Sequence, residues 1–297
     1  MLSGSLVAIV TPMTADGSID WPAWERLLDF HLREGSDGIV IGGTTGESPT
    51  LTLEELEELT RRAVQRLSGK LKVIVGAGTH ATASTVARTR SLSKLGVDAV
   101  MLVTPYYNKP PQEGLFRHFM AAAEASSVPI VVYNVPSRTA VDLLPATMAR
   151  LARHPRIVAI KDASANVSRL RDLLSACPDE FAVLSGDDAT AIDWIGAGAH
   201  GVISVTANVV PRRMHEACTA ALEGNMAAAR AIDADLQPLH RDLFVEANPI
   251  AVKWAVASMG LIGGAIRLPL VELSAAHHEL VLRAMRVAGI ALEDRAA

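Results

Sequence analysis

Eight short runs of apolar, mostly β-branched residues in the first two thirds of the chain constrain its fold most strongly. The runs are continuously apolar, which is typical of parallel strands buried on both faces, whereas strands with one solvated face alternate apolar and polar residues. Helical patterns lie between the runs. The sequence predicts strands at residues 6–10, 38–42, 73–76, 99–104, 129–134, 157–161, 181–185 and 201–205.

The clearest helical pattern extends from Thr52 to about Leu67. Thr52 and Glu55 have the spacing of a capping box, in which each side chain accepts a hydrogen bond from the other residue's backbone N–H. Apolar residues follow at helical spacing. A further helix is predicted to begin near Asn166 and to bury the apolar side chains of Val167, Leu170 and Leu174.

The alternation of strand and helix in eight units predicts the α/β class and a (β/α)8 barrel, also called a TIM barrel. A doubly wound parallel sheet is the alternative. From about residue 210 onward the pattern is helical only. We therefore expect residues 1–224 to form the barrel domain. Residues 225–297 are expected to form a C-terminal helical extension that packs on the barrel or on a neighbouring copy.

The composition excludes several classes of partner. Of the 297 residues 49% are hydrophobic, the net charge is −4 and the pI is about 6.1. A large core is therefore expected, and neither a nucleic acid nor an anionic membrane is expected as a partner. Since no basic region and long apolar run open the chain, we predict no signal peptide and a cytoplasmic protein. Cys177 and Cys218 are interpreted as reduced, packed thiols.

Lys161 ends the apolar run Ile157-Val158-Ala159-Ile160. A lysine whose stem lies in apolar surroundings loses ammonium solvation, so its pKa falls and the neutral amine becomes available for Schiff-base chemistry on a carbonyl substrate. Taken alone, a lysine at a strand end more often reaches water or pairs with a carboxylate. The residues that follow the other predicted strands favour the chemical interpretation.

Chemically unusual residues cluster after the predicted strands, where the active site of a barrel enzyme lies. The glycines and threonines of residues 42–48 suit a bound carboxylate, and two of the three tyrosines stand together in residues 104–110. The fifth strand ends with the third tyrosine, Tyr133, and Arg138 follows it. Phenols relay protons and arginine binds carboxylates, so one rim would combine these functions. Simple packing is the alternative for Tyr133 and Tyr107.

Two further patterns are weak. Residues 76–81 match the G-x-G-x-x-A pattern of dinucleotide-binding loops, but they follow the third of eight strands, and a barrel has no topological switch point. The nine histidines show no spacing typical of metal ligands. We therefore predict neither a nicotinamide cofactor nor a metal, which disfavours a metal-dependent aldolase.

Six segments resemble the dihydrodipicolinate synthase family, and together they extend over essentially the whole chain. They are residues 42–48 (GGTTGES), 104–110 (TPYYNKP), 133–139 (YNVPSRT), 160–162 (IKD), 184–188 (LSGDD) and 248–254 (NPIAVKW). The lysine and the glycine–threonine loop are shared with the wider group of pyruvate-dependent lyases, such as N-acetylneuraminate lyase. The tyrosine segment is more specific to the synthases.

The resemblance implies a cofactor-independent lyase that joins pyruvate to L-aspartate 4-semialdehyde in diaminopimelate and lysine biosynthesis. Lys161 would form a Schiff base with pyruvate, and the derived enamine would attack the aldehyde to give 4-hydroxy-tetrahydrodipicolinate. Tyr133 would be the main acid–base group. Thr44 and Tyr107 would complete a proton relay, with Tyr107 reaching over from the adjacent subunit.

The same resemblance assigns the substrate contacts and the assembly. Thr45 would bind the pyruvate carboxylate, and Arg138 would bind the semialdehyde carboxylate. Gly186 and Ile203 would contribute backbone carbonyls near the substrate. The shared tyrosine implies at least a dimer, and the resemblance implies a homotetramer built as a dimer of dimers.

Many family members are inhibited by lysine at the dimer interface, near the positions of Ser48, Pro49, His80, Ser84 and Tyr106. Lysine-sensitive members typically have an acid at the position of Ser84 and an amide at that of His80, and this chain has neither. A bound lysine ammonium would lose a charged partner worth roughly 1.5–3 kcal/mol. We therefore expect weak or absent inhibition by lysine.

Three other functions remain open from the sequence. A related aldolase could cleave N-acetylneuraminate or a 2-keto-3-deoxy sugar acid, although a polyol pocket has less use for Arg138. A non-catalytic barrel could bind small keto acids as a sensor, although the lysine, tyrosines and threonine together favour catalysis. A third option is a synthase-like enzyme with another aldehyde acceptor, because acceptor choice depends on pocket shape.

Overall fold

The computed structural model describes residues 1–291, in which eight parallel strands close into a barrel. Each strand pairs with its neighbours in chain order, and the eighth pairs with the first. The strands are β1 (Gly4–Ala8), β2 (Gly38–Ile41), β3 (Lys72–Gly76), β4 (Ala99–Val103), β5 (Ile130–Asn134), β6 (Ile157–Asp162), β7 (Ala182–Ser185) and β8 (Gly201–Ser204). The predicted (β/α)8 barrel is confirmed, and the doubly wound alternative is excluded because a closed barrel has no open edges.

Helices connect the strands and continue the chain after β8. Within residues 1–291 they are α1 (Trp21–Arg33), α2 (Leu53–Leu67), α3 (Thr82–Leu92), α4 (Gln112–Ala125), α5 (Pro136–Thr139), α6 (Pro145–Leu151), α7 (Val167–Ala176), α8 (Ala191–Gly196), α9 (Pro211–Leu222), α10 (Met226–Asp242), α11 (Ile250–Ser258) and α12 (His278–Val287). Short 3₁₀ turns lie at Ser48–Thr50, Thr206–Asn208 and Ala275–His277.

The continuous apolar runs are explained by burial on both sides of the barrel wall. Along β1 the side chains of Leu6 and Ala8 belong to the cluster inside the barrel, whereas Val7 packs with the surrounding helices. Water is excluded from both sides of the barrel wall, so the residues that face either side are apolar. Tyr133 and Ile203 also belong to the interior cluster. They lie at the C-terminal ends of β5 and β8, so this end of the interior carries the chemically unusual residues.

Strand β1 begins and ends two residues earlier than predicted, whereas the other seven strands agree with prediction to within one residue at each end. Ile9 and Val10 continue the apolar run and are buried. The Val10 N–H, however, donates to Oδ1 of Asn208 at 3.0 Å and not to a neighbouring strand. The Ile9 N–H still donates to the Val40 carbonyl on β2 at 3.2 Å. At Val10, therefore, burial without sheet pairing produced the same apolar pattern as a strand.

The capping box at the start of α2 is confirmed. The Glu55 N–H donates to Oγ1 of Thr52 at 3.2 Å, and the Thr52 N–H donates to the Glu55 carboxylate at 2.9 Å. These bonds satisfy two backbone donors that would otherwise lack partners in the first turn. They fix the place where the loop after β2 enters the helix.

Helix α7 begins after Asn166, as predicted, but its buried face differs from the prediction. The Asn166 side chain accepts from the Ser168 N–H at 3.0 Å and caps the helix. Arg169 then points inward to the fully buried Asp162, with Nε 2.7 Å from the carboxylate. The prediction that Val167 is buried is wrong, since its side chain is 37% exposed. The buried ion pair of Arg169 and Asp162 sets the orientation of this helix. The spacing of apolar residues gives no sign of such a pair.

The part of the described chain that follows β8 is helical, as predicted. Helix α10 packs against α9 and α12. Asn248, which precedes α11, and Lys253 within α11 contact the loop after β2, so this segment lies against the C-terminal end of the barrel. The boundary between residues 224 and 225 stays a prediction. No helix within residues 1–291 is both long and apolar enough to cross a membrane.

Candidate active site

Lys161 lies on β6 opposite Tyr133 on β5, at the C-terminal end of the barrel. Lys161 is 5% exposed, and its Nζ is 4.4 Å from the centroid of the Tyr133 ring. Burial lowers the pKa of Lys161 from 10.5 to about 8, while the carboxylate of Asp188 opposes this shift and the charge of Arg138 adds to it. About one amine in ten is therefore neutral at pH 7, and a Schiff-base nucleophile must be neutral.

The space around Lys161 depends on a glycine. Gly186 follows β7 and lines the same cavity as Lys161. A Cβ atom at position 186 would lie 2.8 Å from Cβ of Ala163 and 3.0 Å from Cε of Lys161. Both distances are shorter than ordinary van der Waals contact. Gly186 therefore leaves the room in which the lysine side chain extends.

A buried ion-pair network supports the strand end that carries Lys161. Asp162 accepts hydrogen bonds from Nε of Arg169 at 2.7 Å and from Nδ2 of Asn134 at 3.0 Å. Arg169 also donates to Asp142 at 3.0 Å. The network joins β5, β6 and α7, so its members restrict the movement of one another and of the adjacent lysine.

Tyr133 is a buried phenol beside the amine. Burial raises its pKa from 10.0 to about 12, although the charge of Arg138 and the hydroxyl of Thr44 oppose the shift. The phenol is therefore protonated at neutral pH. Because it lies beside both the lysine amine and the Thr44 hydroxyl, it is suited to donate a proton to a substrate oxygen and to pass one on.

A cavity of about 250 Å³ opens in front of Lys161. Six of the eight predicted catalytic and substrate-binding residues line it, namely Thr44, Thr45, Tyr133, Arg138, Lys161 and Gly186. A second cavity of about 310 Å³ lies beside the first and shares Thr44, Tyr133 and Arg138 with it. The amine, the phenol, the two hydroxyls and the guanidinium thus face one space. This combination suits a small carbonyl compound that carries a carboxylate.

The loop after β2 presents both threonines to the cavity. Gly42 opens the loop at φ +60°, and a Cβ atom there would lie 2.4 Å from Cδ1 of Leu56, so only glycine fits. Thr45 is buried, and its hydroxyl accepts a hydrogen bond from Nδ2 of Asn248 at 3.1 Å. The loop is therefore held both by its own turn and by the C-terminal helical region.

Two predicted site residues do not line the cavity in front of Lys161. Ile203 is 1% exposed and packs inside the barrel. Tyr107 is 88% exposed on the loop after β4, where its φ of 74° turns the chain sharply. Its position agrees with the expectation that it serves another subunit. The roles assigned to both residues stay predictions.

Most residues of the predicted regulatory site lie at or beside the second cavity. Ser48, Pro49 and Tyr106 line it. His80 is exposed and packs edge-on against Tyr106, with ring centroids 5.1 Å apart, and Ser84 is exposed on α3. Ser48, Pro49, Tyr106 and His80 thus form a cluster, and binding of a regulator there stays a prediction.

Several residues near the site are missing from the predicted set, and three of them make notable contacts with it. Phe244 and Asn248 line the cavity in front of Lys161. The buried Asp188 accepts hydrogen bonds from the N–H groups of Val205 at 2.8 Å and Thr206 at 3.0 Å. Asn248 and Asp188 stand in segments that resemble the family, so a signal existed for them. Phe244 stands in no recognised segment.

Comparison with known proteins agrees with the fold. The model of the dihydrodipicolinate synthetase family matches residues 1–287. Two relatives, from Nitrosomonas eutropha and Nitrosomonas europaea, both bear the name 4-hydroxy-tetrahydrodipicolinate synthase. They are 56% and 55% identical to this chain over 290 residues, which cover 98% of this chain and 99% of each relative.

Solved structures show the same similarity. Dihydrodipicolinate synthase from Acinetobacter baumannii, described as chloride inhibited and complexed with pyruvate, has a TM-score of 0.96 and 45% identity over 98% of this chain and 100% of its own. The enzyme from Aquifex aeolicus has a TM-score of 0.96 and 41% identity over 99% and 100%. A variant described as the first monomeric dihydrodipicolinate synthase has a TM-score of 0.94 and 41% identity over 97% of both chains. This chain is therefore a member of the dihydrodipicolinate synthetase family.

Proposed function

We propose that this chain acts as a 4-hydroxy-tetrahydrodipicolinate synthase, a carbon–oxygen lyase that condenses pyruvate with L-aspartate 4-semialdehyde without a cofactor. The observation that carries the proposal is Lys161, a buried amine of lowered pKa that lines a cavity with two threonines and an arginine. The names of relatives that are more than half identical over nearly their full length support the choice of reaction.

The first step forms a Schiff base. The neutral amine of Lys161 attacks C2 of pyruvate, and the carbonyl oxygen leaves as water, so that a C=N bond replaces the C=O bond. Tyr133 donates the proton that the departing hydroxyl needs. Thr45 and the loop after β2 bind the pyruvate carboxylate, while backbone carbonyls of Gly186 and Ile203 contact the bound substrate.

The second step forms the carbon–carbon bond. Loss of a proton from the pyruvate methyl group converts the iminium into an enamine, with the nitrogen as electron sink. The enamine carbon attacks the aldehyde carbon, and the aldehyde oxygen takes up a proton from the relay of Tyr133, Thr44 and Tyr107. The amino group of the second substrate then displaces Lys161 from C2. This closes the ring, leaves the 4-hydroxyl group and returns the free amine.

Arg138 favours a second substrate that carries a carboxylate. It lines both cavities, and its Nη2 donates to the backbone carbonyl of Asn248 at 3.3 Å, which orients the guanidinium. A guanidinium at the mouth of the site matches the carboxylate of L-aspartate 4-semialdehyde. The polyol chain of a sugar acid has no equivalent group, which makes cleavage of such acids the less favoured function.

The proposed assembly is a homotetramer built as a dimer of dimers. Tyr107 is exposed and does not line the cavity in front of Lys161 in its own subunit, and a second copy would receive it in the relay. The description of one similar structure as the first monomeric variant fits a family in which oligomers are usual. A biosynthetic enzyme of this kind is expected in the cytoplasm.

The proposed function is tested by the intact mass of the protein after incubation with pyruvate and borohydride. A single pyruvyl adduct is expected, and the Lys161→Ala variant should form none. Addition of L-aspartate 4-semialdehyde should consume pyruvate catalytically, whereas N-acetylneuraminate should not be cleaved. The absence of an adduct on folded protein would refute the mechanism, and binding of pyruvate without an adduct would indicate a keto-acid sensor.

A further inference from the structure

The segment of residues 248–254 resembles the family but has no part in the proposed chemistry beyond Asn248. Its most unusual member is Lys253, which is 1% exposed in the middle of α11. The Nζ of Lys253 contacts Oε1 of Glu47, whose residue is 2% exposed. Two opposite charges are thus fully buried against each other, although 206 positions separate them in the sequence.

Glu47 ends the turn that presents Thr44 and Thr45. Its backbone has φ 58°, the left-handed region that residues other than glycine seldom adopt. Its second carboxylate oxygen accepts from the backbone N–H of Arg267 at 3.2 Å. Both oxygens therefore have partners in the C-terminal region, and these contacts hold Glu47 in an unfavourable conformation that the turn requires.

We propose that Lys253 is a positioning residue, which acts through Glu47 to hold Thr45 where it binds the pyruvate carboxylate. This inference rests on the proposed function. Besides the bond from Arg267, two bonds from α11 and the residues just before it reach the same turn, one from Lys253 to Glu47 and one from Asn248 to the Thr45 hydroxyl. Helix α11 thus supports the carboxylate-binding turn from behind.

A role in stability alone does not explain a buried pair of this kind. Removing two charges from water costs about as much as their attraction returns, so apolar side chains of similar size would stabilise the fold equally well. A charged pair differs from an apolar pair in its defined hydrogen-bond geometry, because Nζ of Lys253 fixes the position of one particular oxygen of Glu47.

The test compares Lys253→Met with the double variant Glu47→Gln/Lys253→Met. The single variant leaves a buried carboxylate without its cation, so both its stability and the turn geometry suffer. The double variant is neutral at both positions and should regain most of the melting temperature without the directed contact. If the single variant fails to fold, the double variant carries the test.

The readout is the pyruvate concentration that gives half-maximal adduct after borohydride reduction, measured well below each melting temperature. In both variants we expect this concentration to rise by about ten-fold or more, which corresponds to a weakened hydrogen bond to a charged group. The maximal extent of adduct at saturating pyruvate should stay unchanged, because Lys161 itself is untouched.

The matched control is Asp37→Asn. Asp37 precedes β2, whereas Glu47 follows it, so Asp37 lies at the opposite end of the barrel. The Asp37 carboxylate accepts a hydrogen bond from the Ser5 N–H at 2.7 Å. This variant should lose stability and keep the wild-type half-saturating concentration. Half-saturation that is unchanged in the Lys253 variants would overturn the proposal. If the wild-type protein formed no adduct at any pyruvate concentration, the proposed function itself would fail.

Discussion

The charge of Asp188 controls how readily Lys161 becomes a nucleophile, and Asp188→Asn should therefore shift the pH dependence of Schiff-base formation. Asp188 is 4% exposed, and its Oδ2 accepts from two backbone N–H groups. Asparagine keeps an acceptor oxygen at this place and removes the negative charge. Because that charge favours the ammonium form, the substitution should lower the pKa of Lys161 below its wild-type value of about 8.

The size of the effect follows from the burial of Lys161. A pKa lowered from 10.5 to about 8 means that burial and the neighbouring charges disfavour the ammonium by roughly 3 kcal/mol. At pH 7 about one amine in ten is then neutral, compared with about one in 3,000 for a solvated lysine, a gain of roughly 300-fold. Arg138→Gln should act in the opposite direction to Asp188→Asn, because Arg138 disfavours the ammonium.

The assay is the initial rate of adduct formation at low pyruvate between pH 6 and pH 10, with borohydride trapping and mass detection. The wild-type rate should rise with pH and level off above a midpoint near 8. The midpoint should lie lower in Asp188→Asn and higher in Arg138→Gln. A wild-type midpoint near that of a solvated lysine would refute the argument from burial, and equal midpoints in all three proteins would refute the argument from charge.

Three further predictions follow from the same geometry. Lys161→Met should raise the free energy of unfolding at pH 7 by roughly 2–3 kcal/mol, because the unfolded wild-type chain binds the lysine proton more tightly than the folded chain. Denaturant titrations should show that this gain vanishes near pH 10.5. Gly186→Ala should slow adduct formation by more than about ten-fold, since the new Cβ would lie 3.0 Å from Cε of Lys161. A wild-type rate would show that the lysine has room to move aside. L-Lysine should not inhibit turnover at submillimolar concentrations, because among residues 1–291 the second cavity is lined by Arg88 and by no carboxylate. Half-inhibition well below 1 mM would contradict this.

Much of the fold could be predicted because its signals are local. Parallel strands buried on both faces leave continuous apolar runs, and the capping box of Thr52 and Glu55 spans four residues. The strand ends then bring Thr44, Tyr133 and Lys161 to one rim, since all eight parallel strands end on the same side of a barrel. Local patterns were insufficient where a residue is buried but not paired in the sheet. Val10 is such a residue, because its N–H donates to a side chain.

By itself, then, the amino-acid sequence determined the barrel, the placement of Lys161 at a strand end and the family to which the residues point. Only the tertiary structure decided the partners of these residues. The contact of Glu47 with Lys253 and that of Thr45 with Asn248 join positions more than 200 residues apart. Periodicity and spacing report on neighbours within a few residues, whereas a buried charge takes its partner from any part of the chain that folding brings near. The tertiary structure also decided the lowered pKa of Lys161, because this pKa depends on how completely the folded chain excludes water.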